Sequence, residues 1–223
     1  MDLSSLRRVR AGVLALPIAG LFWTVGMLLR GAPNSTAVDP AATASVLGSA
    51  NYIAGWLAIT IGEVLLLLGF PALYAVLNSR NAGRLAFAGV TLSLLGTGLL
   101  LPLFGITTFT YATAGQLYLA GQTGAMTVVD NTFGGPLIPF VMVGALCYSA
   151  GAIIFGIASW RSRLVPAWVA VAFALHAPLA NVPLTQISEL LGGVLLAISG
   201  AVLARSAMQD RISEPTVQNH VFT

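Results

Sequence analysis

The chain predicts an all-α integral membrane protein, with six transmembrane helices in a single bundle and both termini cytoplasmic, and three observations carry that expectation. Of its 223 residues 57 % are hydrophobic and 8 % charged, with a mean hydropathy of +0.89, far from the composition of a soluble domain. Apolar runs long enough to cross a bilayer recur along it, separated by short polar turns. All ten basic residues are arginines at the ends of those runs. If the spans alternate, Arg7, Arg8, Arg10, Arg80, Arg84, Arg161, Arg163, Arg205 and Arg211 share one side and Arg30 alone takes the other, a strong positive-inside bias.

The first span covers 11–30 and is read as retained, being too long for a signal-peptide core and lacking a small-x-small cleavage site; Pro17 is expected to kink it. Asp39-Pro40 reads as a helix start, an Asp N-cap before Pro at the first helical position. Residues 39–50 are therefore a short external helix leading into the second span, 51–77. NSRNAGR makes a tight basic turn. Span three, 85–108, carries Gly89, Ser93 and Thr97 at four-residue spacing, a close-packing face, and Pro102 is placed to bend it.

Residues 110–136 read as the longest external connection, lid-like, with a short interfacial helix in LYLAGQTGAMTVV. Asp130 within it is expected to cap a helix or turn, the alternative being a second acid reaching into a chamber. Span four, 137–158, has Gly144, Gly151 and Gly156 for close packing and Trp160 as interfacial anchor. Span five, 164–181, carries Trp168 and His176, and Pro178 and Pro183 stiffen a short outer turn. Span six, 185–204, places Glu189 in the outer third of the membrane. Residues 1–205 thus form the transmembrane domain, and 206–223 read as a disordered cytoplasmic tail.

Glu63 is the residue that composition does not explain. A charge near the centre of a membrane helix costs on the order of 3 kcal/mol, so such groups face a cavity or a partner rather than lipid. Tyr52, Trp56, Glu63, Phe70 and Tyr74 follow one another at steps of 4 and 7 and share one helical stripe, which sets the acid among aromatic rings. The plain alternative is a Glu bonded to a neighbouring helix, with the aromatics as core. Glu189 and His176 are the other candidate catalytic groups, His176 being either a hydrogen-bonded structural residue or the base that ends a cascade. Candidate substrate-binding walls are Trp23, Tyr52, Trp56, Phe70, Tyr74, Phe104, Tyr111 and Phe140, with Phe22, Phe133 and Tyr148 as further rings; their faces attract cations, though each also serves ordinary packing. Acids in an apolar chamber suit proton chemistry, because desolvation favours the uncharged carboxyl that can donate.

Other classes find no support. There is no paired-Asp motif, no His-x-x-x-His, no Cys pair and no glycine-rich phosphate loop, so neither a metal nor a cofactor is expected. G-x-S-x-G is missing too, which disfavours a serine hydrolase. The arginines set topology and do not imply nucleic acid, and the lone Cys147 cannot form an intramolecular disulfide. The expected partners are a hydrophobic small-molecule substrate and the lipid bilayer, in a bacterial cytoplasmic membrane.

GEVLLLLGF around Glu63 and QISELLGG around Glu189, in a hydropathy pattern covering most of the chain, resemble the membrane-integral terpene cyclases of bacterial indole sesquiterpenoid and fungal meroterpenoid pathways. The resemblance implies a small helical bundle that cyclises a prenyl chain, farnesyl above all, already attached to an aromatic or indole-type head, beginning with protonation of the terminal alkene or epoxide. It implies Glu63 as the acid or part of it, and Glu189 as its partner or the terminating base. The fungal members have seven spans, one more than the six counted here. A proton-coupled transporter or binding protein that uses Glu63 as its switch is the reading from another class, and a structural partner without chemistry is a third.

Overall fold

Backbone in lipid has no water to bond, so apolar segments satisfy their hydrogen bonds as helices. The computed structural model describes residues 11–31, 39–133, 135, 137–181 and 186–209, and they are helical almost throughout. In order they form α1 (Ala15–Leu29), α2 (Pro40–Leu47), α3 (Ala50–Asn78), α4 (Gly83–Gly105), a π-helical stretch (Ile106–Tyr111), α5 (Ala112–Leu119), one 3₁₀ turn (Thr123–Ala125), α6 (Met126–Phe133), α7 (Leu137–Arg161), α8 (Ala167–Asn181) and α9 (Gln186–Gln209). Helices α1, α3, α4, α7, α8 and α9 pack in chain order, each against the next, and α9 returns to α1, closing an up-and-down ring of six. Helices α2, α5 and α6 pack together over one end, called the cap end below.

Among the described residues four helical stretches are long and apolar enough to cross a membrane: α3, the continuous run from α4 through α5, α7 and α9. Helices α1 and α8 are apolar but only 15 residues each. In α1 the shortening has a local cause, since Leu14 N–H bonds Ala11 O at 3.0 Å and Leu16 N–H bonds Val13 O at 3.1 Å, a tight turn that restarts the helix. Pro17 has no N–H for the Val13 carbonyl four residues before it, which Leu16 N–H takes instead, so the break between helical residues 11–12 and α1 falls where a kink is expected.

The Asp39 cap is as expected, its carboxylate accepting Ala42 N–H at 2.9 Å. Its helix ends at Leu47, and Ser49 caps α3 separately by accepting Tyr52 N–H at 3.1 Å. The long lid-like connection expected at 110–136 is corrected. Helix α4 runs on through the π-helical stretch to Leu119, and the chain turns at Gly121, whose φ of +94° suits glycine. It then forms α6, so the interfacial helix expected within 117–129 is split between the end of α5 and the start of α6. The polar residues misled because Thr127 and Thr132 return their hydroxyls to the carbonyls of Gly124 and Val128, which lets a stretch with threonines stay helical. Helix α9 extends to Gln209, past the boundary expected at 205. The remaining tail, Pro183, Arg7, Arg8, Arg10 and Arg211 lie outside the described residues.

Arg80, Arg84, Arg161, Arg163 and Arg205 lie towards the end opposite the cap, where Arg80 Nη1 bonds Ser162 O at 3.2 Å and ties two turns together. Exposed Trp160 and Trp168 flank one of those turns, and Arg30 alone is at the cap end. The small residues do bring backbones together. A methyl added at Gly151 would stand 2.5 Å from Ser93 N, one at Gly156 2.6 Å from Ala170 O, and one at Gly144 3.0 Å from the Leu99 Cβ. Gly151→Val is expected to destabilise the protein by roughly 2–4 kcal/mol, because rigid backbone cannot yield. Gly98→Ala, where the methyl meets nothing within 4 Å, is expected to change stability by no more than about 0.5 kcal/mol. Thermal unfolding of both variants in one detergent checks the pair.

Candidate functional site

The cap end of the ring encloses a cavity of about 560 Å³. Its upper wall is set by Arg30, the last residue of the α1 turn, whose guanidinium Nη2 donates to Glu189 Oε2 at 2.5 Å and lies 4.8 Å over the Trp56 ring. One cation thus ties α1 to α9 and α3, and Gln186 Nε2 adds a bond to Met27 O at 3.1 Å. Deeper, Trp23 and Phe104 meet edge-on at 5.9 Å, Phe104 and Trp56 at 5.9 Å, and Trp56 and Tyr52 at 6.3 Å. The walls are aromatic, with Ile59, Leu100 and Ala145 at the inner end.

Five of the eight rings expected in a binding wall line this cavity: Trp23, Tyr52, Trp56, Phe104 and Tyr111. The other three do not. Phe70 is fully buried and stacks on Phe155 at 5.7 Å, well below the cavity. Tyr74 meets Phe87 near the opposite end of the bundle, and Phe140 is 42 % exposed on the outside of α7. Helical spacing put Phe70 and Tyr74 on the right face, but from Tyr52 to Tyr74 that face runs roughly 33 Å, the thickness of a membrane. Phe22 likewise faces outward, and the Phe133 side chain lies outside the described residues.

The acids separate by depth. Glu189 lines the cavity, and so does Asp130, which lies in the middle of α6 and so is not the helix or turn cap expected of it. Glu63 is fully buried and does not line the cavity. Neither of its carboxyl oxygens meets hydrogen-bonding geometry, and the Thr97 hydroxyl of the neighbouring α4 beside it has no other partner, so the alternative of a Glu tied to a neighbouring helix comes down to that one contact. An ionised carboxylate there would be an uncompensated buried charge, so the packing accommodates the neutral acid.

His176 is buried, as its structural reading expects. The Phe173 carbonyl can only accept, so Nδ1 carries the proton and Nε2 receives the Tyr148 hydroxyl at 3.0 Å. Tyr148 also lies within electrostatic reach of Glu63. Glu63, Thr97, Tyr148 and His176 come from α3, α4, α7 and α8, and three or four residues towards the cap each helix carries a cavity-lining residue: Ile59, Leu100, Ala145 and Ala180. A polar layer therefore sits one helical turn beneath the cavity floor. Among the described residues no three His, Cys, Asp or Glu side chains come together as metal ligands.

Sequence reasoning missed Arg30 as a site residue by treating it as a topology marker. The signal was available, for Arg30 lies seven residues after Trp23, two turns along one face, and is the single arginine set apart from nine others.

Two measurements check this geometry. Tyr148→Phe leaves the buried His176 Nε2 without a donor and is expected to cost about 1–3 kcal/mol in chemical unfolding, where an exposed Tyr→Phe change costs almost nothing. A double-mutant cycle of Arg30→Met and Glu189→Gln is expected to return a coupling of about 1–2 kcal/mol, the pair being mostly buried.

No protein-family model, no curated protein and no solved structure matches the chain, so a reading of its function rests on the cavity and the groups around it.

Proposed function

We propose that this protein is a membrane-integral cyclase, one that closes rings in a prenyl chain carried on an aromatic head group by metal-independent, proton-initiated chemistry. The single observation that carries the reading is the run of rings Trp23, Phe104 and Trp56 across the cavity, since aromatic faces in a dry site stabilise a travelling positive charge. The head lies near Arg30 and Glu189, and the chain runs down towards Ile59 and Leu100. Its terminal alkene takes a proton from Glu63 beneath that floor. The alkene π pair forms the new C–H bond and leaves Glu63 as a carboxylate, a second alkene's pair closes the ring on the resulting cation, and Glu189, a carboxylate held by Arg30, removes the last proton; before the next turnover Glu63 takes up one proton and Glu189 gives one up. Atoms balance to an isomer of the substrate.

The two short helices fit this membrane setting. Leu21 and Leu28 of α1 and Val171 of α8 are as exposed on the outside of the ring as Leu68, Leu146 and Ile198 of the long helices, which supports six spans embedded in lipid. The arginine bias puts both termini and the arginine-rich turns in the cytoplasm and the cavity at the outer face of a bacterial cytoplasmic membrane.

Membranes containing the protein, given a panel of farnesylated aromatic compounds, are expected to yield isomers of unchanged mass by mass spectrometry, and Glu63→Gln to lower their formation by at least about 100-fold. Folded protein that forms no isomer, or a Glu63→Gln variant as fast as wild type, ends this reading. The position of Glu63 under the floor favours one alternative, a proton-coupled transporter or binding protein in which that acid is the switch. Uptake into liposomes driven by a pH gradient and lost in Glu63→Gln is its mark.

A further inference from the structure

Three N–H groups of the cavity wall make no hydrogen bond to the described residues. Trp23 Nε1 and Arg30 Nε are buried N–H groups that nothing in the described protein accepts, and both belong to side chains lining the cavity. Trp56 Nε1, on the ring under the Arg30 guanidinium, is equally without a hydrogen bond; it is near only to the Tyr52 hydroxyl, outside bonding geometry. Buried donors are ordinarily paired, and a group of three around one cavity is suited to an acceptor that the described residues do not supply. The neighbouring cavity-lining hydroxyl of Thr107 cannot serve, being committed to the Leu103 and Phe104 carbonyls.

Charge narrows the acceptor. The described residues at the cap end include Asp39, Asp130 and Glu189 against the single cation Arg30, and the stretches of sequence joining them there, 32–38 and 182–185, contain no charged residue. The formal sum is one positive and three negative charges, which opposes an anionic head such as a carboxylate or phosphate.

We infer that the cavity selects a lipophilic molecule whose polar head presents a neutral carbonyl-type acceptor, and that Trp23, Trp56 and Arg30 read it. This rests on the reading that the cavity holds a lipophilic small molecule, and not on its cyclisation. An indole head leaves these donors unpaired, since its one polar group is a further N–H. A bicyclic ketone of the same size supplies the missing oxygen, while the prenyl chain lies against Ile59, Leu100 and Phe104.

The test is a binding measurement on the full chain in lipid nanodiscs by equilibrium dialysis. The probes are 3-farnesylchromone, 3-farnesylindole and the chromone bearing a ring carboxylate, matched in chain and ring size. The neutral chromone is expected to bind about tenfold more tightly than the indole, roughly the worth of one satisfied buried donor, and more tightly than its carboxylate. Trp23→Phe and Trp56→Phe, which keep the ring faces and remove one N–H each, are expected to cut the chromone preference several-fold, with helicity by circular dichroism confirming folded protein. Equal binding of chromone and indole, tighter binding of the carboxylate, binding of neither neutral probe, or a preference untouched by both Trp variants overturns the inference. Tight binding of the chromone with no isomer in the mass spectrum ends the cyclase reading and leaves this one standing.

Discussion

The cap end of the molecule depends on how closely α1 is held between α3 and α9. Helix α1 is short and makes few polar contacts, so its grip is steric: an added methyl at Gly20 would meet Ala197 and Gly193 backbone, one at Gly200 would stand 2.8 Å from Pro17 N, and one at Gly26 2.5 Å from Gly55 O. Without water to drive helices together, such backbone approach supplies the van der Waals contact that holds membrane helices. Trp23 and Arg30 ride on this helix. Were α1 to slide by one turn, Trp23 would leave Phe104 and Arg30 would leave both Glu189 and Trp56, so the cavity wall and the closure of the ring are one constraint. The Arg30–Glu189 pair sits at the top of that seam and fixes its register, a use for which a mostly buried ion pair is better suited than for raw stability.

A second device acts on the opposite wall. Pro102 removes a backbone donor within α4, and the helix that follows widens into π geometry from Ile106 to Tyr111 before resuming. At its start the Thr107 and Thr108 hydroxyls bond the Leu103 and Phe104 carbonyls. One extra residue per turn rotates everything beyond it, and that rotation lets Tyr111 reach the cavity while α5 continues outward to pack on α2. The roof of the cavity is thus built by prolonging a membrane helix, with an irregularity placed where the helix changes partners.

Much of the fold was legible because it rests on local rules. Apolar runs, the Asp39-Pro40 start, the arginines gathered at one end and the small residues at helix contacts each follow from one stretch of sequence. Residues 110–136 were not legible, since threonines look like loop until hydroxyls such as those of Thr127 and Thr132 are known to return to helix carbonyls. The site was read for face but not for depth. Periodicity put Tyr52, Trp56, Glu63, Phe70 and Tyr74 on one inward stripe of α3, where they are, yet a stripe along a membrane helix passes through several layers. Only its first two rings line the cavity, and Phe140, on α7, needed the ring's closure to be recognised as facing outward.

Depth is also what gives the Glu63 layer its interest. A chain with 8 % charged residues places one acid at the centre of its ring, with no countercharge and no hydrogen bond, next to a tyrosine already committed to a histidine. Had the acid served packing alone, an apolar residue of the same size would fill the space without a desolvation penalty. Had it served the cavity directly, a position one turn nearer the cap, that of Ile59, would have put it in the wall. Its actual place, beneath Ile59, Leu100 and Ala145, keeps it out of reach of water in the cavity. Between that acid and the cavity stand apolar side chains, and a hydrated ion would cross them only at a desolvation cost.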